Sequence, residues 1–258
     1  MEIPLVNLQG TVYRAKTAEL LKDVKTPVKV KIVGAGATGS HIAKSLAKTP
    51  QLFDITIIDG DVFQPHNIGN QDCSIAEDME VNKAEAVATS ILRHQGTKIN
   101  FVPEFITPEN MVEILSPDDK TILLLCADNI DITKQILEFC LLMPCFLIIN
   151  TGIPLNVKHI ALAQGVVRTF TSSENILEYL AIVADTNQAD INEALANETR
   201  TCRTQSFYPL VSIVSDVASL LTATVAFYFN SENEVELEIH KSYIIGGAFP
   251  SIRTEQNY

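Results

Sequence analysis

The chain has 258 residues, 47% of them hydrophobic and 19% charged, which suffices for a full core in a soluble globular fold. A formal net charge of -12 argues against a broad surface for a phosphate backbone, so nucleic acid is not an expected partner.

The opening "MEIPLVNLQG" has neither a basic start nor a long apolar stretch, so no secretory signal is read and the expected location is the cytoplasm. "VKVKIVGAG" is an apolar-rich run that breaks on glycines, a buried strand ending in a turn. "TGSHIAKSLAKT" places Ile42, Ala43, Leu46 and Ala47 on one helical face. "FDITIIDGD" reads as a second strand, and "NKAEAVATSILRHQ" as a helix with Ala84, Ala88, Ile91 and Leu92 aligned. "INFVPEFI" is a strand, and "TPENMVEIL" predicts a helix with Thr107 as N-cap and Pro108 at its first position. "TILLLCADN" is a long apolar strand halting on a polar pair; a helix from about Asp131 to Leu142 and the strand "CFLIIN" follow.

Strands alternating with helices through Asn150 predict an α/β, Rossmann-like, mostly parallel sheet covered by helices. Beyond that point "HIALAQGVV" and "EVELEIHKSYII" read as mixed or antiparallel additions. The expected organisation is a single domain over 1–258: an N-terminal arm (1–27), a nucleotide-binding core (28–150) and a C-terminal extension (151–258). Within the extension, "FYPLVSIVSDVASLLTATVAFYF" is long enough to span a bilayer. It carries Asp216 near its centre, where insertion costs about 2.5–3.5 kcal/mol, so it reads as a helix buried in a core or a symmetric subunit interface and no membrane is expected.

The chemistry concentrates in the loops. "GAGATG", Gly34 to Gly39, follows a strand and opens a helix, so its glycines let the backbone approach a ligand phosphate at the helix N-terminus. Asp59 ends the next strand about 20 residues later, where an acid can accept both ribose hydroxyls. A G-x-G-x-x-G loop with such an acid fits NAD or ATP. The residues after Asp59 favour ATP: "DGD", then "HNIGNQ", then Lys83 at a helix start, then Asp128 and Asn129 at a strand end. Lys83 would supply a cation for phosphates, and Asp128 a carboxylate for Mg²⁺. Each has a plainer alternative: a solvated helix lysine, a turn or cap residue, and for Asn67 a support for its own loop.

With G-x-G-x-x-G-S, D-x-D-x-V-x-x-x-N-x-x-x-Q, K-A and a strand ending in D-N, the chain resembles the ThiF/MoeB proteins, relatives of the ubiquitin-activating enzymes. The "TGS" and "NIGNQ" details are most similar to the plasmid-associated PRTRC-type ThiF group. The resemblance implies an adenylyltransferase, in many cases a homodimer, that uses ATP and Mg²⁺ to activate the C-terminal glycine carboxylate of a ubiquitin-like small protein or peptide. Carried over by position, Gly34, Gly36, Ala37 and Gly39 line the nucleotide and Asp59 holds the ribose, with Asp61 in the same loop. Asn67 and Gln71 contact nucleotide or phosphates, Lys83 holds phosphates, and Asp128 takes the Mg²⁺ with Asn129 beside it.

Two departures matter. The family loop reads N-x-x-R-Q, and Asn70 stands where that arginine belongs. Losing a cation aimed at developing charge costs about 3–4 kcal/mol, roughly two to three orders of magnitude in rate. Arg14, the only arginine upstream of the glycine loop, is a candidate to compensate across a dimer, with an ordinary surface arginine as the alternative. The five cysteines are odd in number and form no C-x-x-C, so reduced thiols are expected and neither a disulfide framework nor a structural zinc. Cys202, between Arg200 and Arg203, is a candidate thiolate nucleophile or a plain loop cysteine; Cys126, Cys140 and Cys145 read as packed. His66, His94, His159 and His240 show no metal-ligand spacing. Three functions therefore stay open: a ThiF-type adenylyltransferase, a catalytically weak dimeric binding or scaffold protein of that fold, and an NAD-dependent oxidoreductase.

Overall fold

The computed structural model describes residues 24, 26–67, 79–143, 145, 147–152, 164–197, 208–230, 242–246 and 252–254. Arg14, Asn70, Gln71, Cys73 and Cys202 lie outside the described residues, as do 159–163 and 234–241 of the two late strands predicted from the sequence.

Five parallel strands form the first part of the sheet: β1 (Val28–Val33), β2 (Phe53–Ile58), β3 (Asn100–Val102), β4 (Ile122–Leu125) and β5 (Leu147–Gly152). β6 (Gln164–Phe170), β7 (Ser242–Gly246) and β8 (Ile252–Thr254) continue it antiparallel, giving the order β3-β2-β1-β4-β5-β6-β7-β8. This is the α/β, Rossmann-like sheet with an antiparallel C-terminal extension predicted from the apolar runs. All four residues of β4 are buried, because both faces of a central parallel strand are covered.

The side chains sort by face. Val30, Ile32, Ile55, Ile57, Leu124 and Ile149 point into one core, filled from above by α1 (Ala37–Leu46), α2 (Lys83–Gln95) and the late helix described below. Val33, Ile58, Leu123, Leu125 and Ile148 point into the other, closed by α3 (Met111–Leu115), α4 (Ile130–Cys140) and α5 (Ser173–Ile182). A short α6 (Gln188–Asn197) follows, then the 23-residue α7 (Tyr208–Asn230).

One face of α7 packs into the core. Val211, Val214, Ala218, Val225 and Ala226 are fully buried, and the Ser215 hydroxyl donates to the Thr38 carbonyl of α1. Asp216 faces outward, so the single acid costs the core nothing. No helix among the described residues is long and apolar enough to cross a membrane.

The α3 boundary differs from the sequence expectation. The helix starts at Met111 behind Asn110 rather than at Pro108 behind Thr107. Asn110 competes for the turn: its Oδ1 accepts from the Thr107 N–H and its Nδ2 donates to the Phe105 carbonyl, which holds 107–110 as a turn. β3 stops at Val102, before Pro103, which has no N–H to continue the ladder. Neither α5 nor α6 was anticipated from the sequence.

At the amino edge of the sheet, Lys29 Nζ lies 2.6 Å from Asp118 Oδ2, and both side chains are about half exposed. The Lys29 hydrogen bond holds the Asp118 carboxyl below its ordinary range. An acid held below its unfolded value stabilises above that value and loses the contribution as pH falls through the lowered one. Asp118→Asn should therefore cost about 0.2–1 kcal/mol at neutral pH, the range of exposed pairs. Urea denaturation curves of variant and parent should converge as the pH is taken below 3.8, the ordinary Asp value. A gap that persists in strong acid would mean the pair contributes nothing as an ion pair.

Candidate functional site

The strand order reverses between β1 and β4, and the carboxyl ends of β1, β2 and β4 meet there; this is where sheets of this kind bind ligands. Three loops converge at that edge.

The first joins β1 to α1. Gly34 has a φ of +98°, and a Cβ on it would lie 2.7 Å from the Ala127 nitrogen and 2.9 Å from the Cys126 carbonyl carbon. A Cβ on Gly39 would lie 1.9 Å from the Gly34 carbonyl oxygen. Only glycines let this loop close on the first turn of α1 and on the loop after β4. Gly36 occupies the N-cap position and has no side chain to fill it, Ala37 starts the helix, and the first turn holds no acid. No side chain of the first turn of α1 itself neutralises its positive end.

The second loop follows β2. Asp59 Oδ2 accepts from the Ala35 N–H at 2.6 Å, and its Oδ1 from the Asp61 N–H at 2.9 Å. The carboxylate thus bolts the glycine loop to its own turn. Burial pushes its pKa up, opposed by those two N–H donors and by Lys83. Gly60 lies under Phe105, since a Cβ there would meet the Phe105 ring at 2.4 Å and the Phe105 nitrogen at 2.6 Å. The Phe105 side chain is nonetheless 61% exposed, an aromatic face beside the Asp59–Asp61 turn.

Lys83 is the first residue of α2, and its Nζ pairs with Asp61 Oδ2 at 2.8 Å. Its side chain is 12% exposed against 55% for Asp61, so the ammonium is presented rather than solvated at random. Asn82 sets this up. Its Oδ1 caps α2 by accepting from Ala84 and Glu85, while its Nδ2 donates to the carbonyls of Asp59 and Asp61. The sequence reading passed over Asn82, although N-x-x-E before a periodic helix is a capping signal. Asn82→Ala should lower stability by about 1–2 kcal/mol through the lost cap, measured by denaturation, and should loosen Lys83 as well.

The third loop follows β4. Asp128 is exposed, whereas Asn129 caps α4 by accepting from the Asp131 and Ile132 N–H groups. α6 is tied to the same helix end: Gln188 Oε1 accepts from the Ile130 N–H, and Asp131 Oδ2 accepts from the Gln188 N–H. No local signal marked this link, because 58 residues separate Ile130 from Gln188. Cys126, beneath the loop, is pushed up to about 12 by burial and is no nucleophile at neutral pH.

The structure thus brings Gly34, Gly36, Ala37, Gly39, Asp59, Asp61 and Lys83 together, with Asp128 and Asn129 on the adjoining loop. Asn67 ends a short 3-10 turn, and its Oδ1 accepts from the Gln64 N–H, a support for its own loop. Among the described residues no group of three or more His, Cys, Asp or Glu side chains could hold a metal ion.

The sequence profile of the ThiF family matches residues 12–254. The chain belongs to the ThiF family. No curated protein matches it. Among solved structures this ThiF protein is similar to E. coli MccB with ATP, at 18% identity and a TM-score of 0.66, and to E. coli MccB with MccA-N7isoASN, at 20% and 0.69; both alignments cover 92% of this chain and 66% of MccB. It is similar to PaaA at 17% identity and a TM-score of 0.68, over 99% of this chain and 85% of PaaA. The ThiF chain spans about 66% of the length of MccB, and identities this low establish the shared fold. The match is to the ThiF family as a whole and does not single out the PRTRC group.

Proposed function

We propose that this ThiF protein is an ATP-dependent adenylyltransferase that activates the C-terminal carboxylate of a small protein or peptide. The observation that carries the reading is the single hydrogen-bonded unit joining the Cβ-free loop at Gly34 and Gly39, Asp59 and Lys83 at the switch point. MccB, of the same fold, has been solved with ATP and with MccA, which supports a nucleotide site and a second ligand here.

The residues fit a nucleotide. Gly34 and Gly39 let the loop close tightly on α1 and on the loop after β4, and the helix start of α1, with no side-chain cap, favours an anion. Gly34, Gly36, Ala37 and Gly39 would line the phosphates, and Asp59 would accept the ribose hydroxyls with its remaining lone pairs. Lys83 would leave Asp61 for the phosphate tail. Asp128 would hold Mg²⁺, which when bound neutralises phosphate charge. Asn129, Asn67 and Gln71 would complete the surroundings. A carboxylate oxygen forms a bond to the α-phosphorus as the bond to pyrophosphate breaks. The attacking group is already ionised at neutral pH, so the chain's residues position and neutralise and need not remove a proton.

The substrate class that suits this chemistry is a ubiquitin-like or glycine-terminated small protein or peptide, with the enzyme acting as a homodimer to which Arg14 contributes across the interface. Mixing Arg14→Ala with Lys83→Ala subunits should then restore part of the activity; no restoration would remove Arg14 from the site. Cys202 would serve as a thioester acceptor.

ATP–pyrophosphate exchange decides the reading. Exchange should require Mg²⁺ and a glycine-terminated partner. Asn70, in place of a family arginine, favours one other reading, a binding or scaffold protein without turnover. Heat from ATP binding with no exchange would establish that role, and no heat from ATP at saturating Mg²⁺ would end both.

A further inference from the structure

A second chemical site lies at the other end of α4, independent of the nucleotide reading. α4 ends at Cys140, and the chain then doubles back: the Leu142 and Met143 N–H groups both donate to the Phe139 carbonyl. That turn returns Cys145 to the side of Cys140. Both thiols line a cavity of about 220 Å³, floored by Ile148, Phe170 and Ile176 and rimmed by Ser172 and Ser173. Cys140 is 7% exposed and Cys145 half-buried, while Leu142 at the turn is 84% exposed, so the pair sits just beneath the surface.

Two features make the thiols unequal. Interaction with Cys145 and burial raise the Cys140 pKa, whereas interaction with Cys140 lowers that of Cys145. The amino end of α5, capped by Ser172, opens on the same cavity and favours a negative charge there. Cys145, the more accessible thiol, is thus placed to attack first and the buried Cys140 to resolve. Cys126, with its thiol pushed up to about 12, has no such arrangement.

We propose that Cys140 and Cys145 form a dithiol modification site that a low-molecular-weight disulfide oxidises to an intramolecular disulfide. The Cys145 thiolate attacks one sulfur of the oxidant, forming a mixed disulfide and releasing one thiol. The Cys140 sulfur, giving up its proton, then attacks the Cys145 sulfur and releases the second thiol. Two protein thiols are oxidised and one small disulfide is reduced. The closed form clips the last turn of α4 to the start of β5.

The test treats the full chain with 2-hydroxyethyl disulfide, blocks remaining thiols and digests with trypsin. Gln135 to Lys158 is one tryptic peptide carrying both cysteines and no others. In the unsubstituted protein this peptide should lose two hydrogens and take up no blocking agent. Cys140→Ser should trap Cys145 as the mixed disulfide, and Cys145→Ser should leave Cys140 a free thiol. A peptide that keeps both thiols, under conditions that oxidise it fully in urea, overturns the proposal. So does the reverse pattern, Cys140 trapped when Cys145 is serine. The measurement on unsubstituted protein stands even if a serine variant fails to fold.

Discussion

Gly39→Ala is expected to cost about 3 kcal/mol or more in stability and to abolish the heat of ATP binding. The added Cβ would stand 1.9 Å from the Gly34 carbonyl oxygen and 3.1 Å from its carbon, a contact with backbone that no rotamer relieves. Gly34 cannot give way. Its N–H donates to the Ile58 carbonyl at 2.8 Å, its φ of +98° suits glycine alone, and its Cα backs onto the peptide between Cys126 and Ala127. Overpacking of this kind typically costs about 1–3 kcal/mol where neighbours can shift, and more where they are fixed main chain. Two other glycines supply the scale. Gly96, the C-cap of α2, has a φ of +70° with nothing within 4 Å of a new Cβ, so Gly96→Ala should cost about 1 kcal/mol of backbone strain. Gly152 has open space and no positive φ, so alanine there should be close to neutral. Urea denaturation should rank the three in that order. If Gly39→Ala behaves like Gly96→Ala, the tight closure of the glycine loop on α1 is wrong.

That closure was legible in the sequence because its signal is local: a strand, three glycines at fixed spacing, a helix, and an acid one strand later. The parallel strands were legible for a related reason, since burial on both faces leaves long apolar runs such as "ILLL" that nothing else explains. What escaped depends on contacts between distant residues. Phe105 over Gly60 joins segments 45 positions apart, and nothing around either residue announces the pairing. The tether from Gln188 to Ile130 and Asp131 is likewise invisible in one dimension, and α5 buries only Ile176 among its described residues, too little to show a periodic face. Side-chain competition explains the misplaced start of α3: Thr107 and Pro108 are good starting residues, but Asn110 binds the backbone at both Phe105 and Thr107 and wins. Asn67 and Asn129 show the limit of reading amides by family position. Both have firm structural duties, one within its own turn and one as a helix cap, whatever else they contact.

Under the proposed reaction, Lys83→Met should lower kcat/KM by roughly two to three orders of magnitude, the usual effect of removing a cation aimed at phosphate charge in a preorganised site. The fold should survive. Methionine reproduces the length of the largely buried Lys83 side chain without its charge, and Asn82 rather than the ammonium caps α2. Asp61 makes the test sharper. It holds the ammonium at 2.8 Å through a side chain that is itself 55% exposed, so it aims Lys83 from the open side. Asp61→Asn should therefore cost less, about tenfold, by letting the lysine wander. The double variant should be no worse than Lys83→Met alone, because the aspartate has no cation left to aim. Single-turnover rates with Mg²⁺–ATP and a glycine-terminated partner would give all three values. Independent, multiplicative losses would mean that Asp61 acts on the nucleotide by itself, and the ion pair between them would then be a resting contact with no part in presenting the lysine.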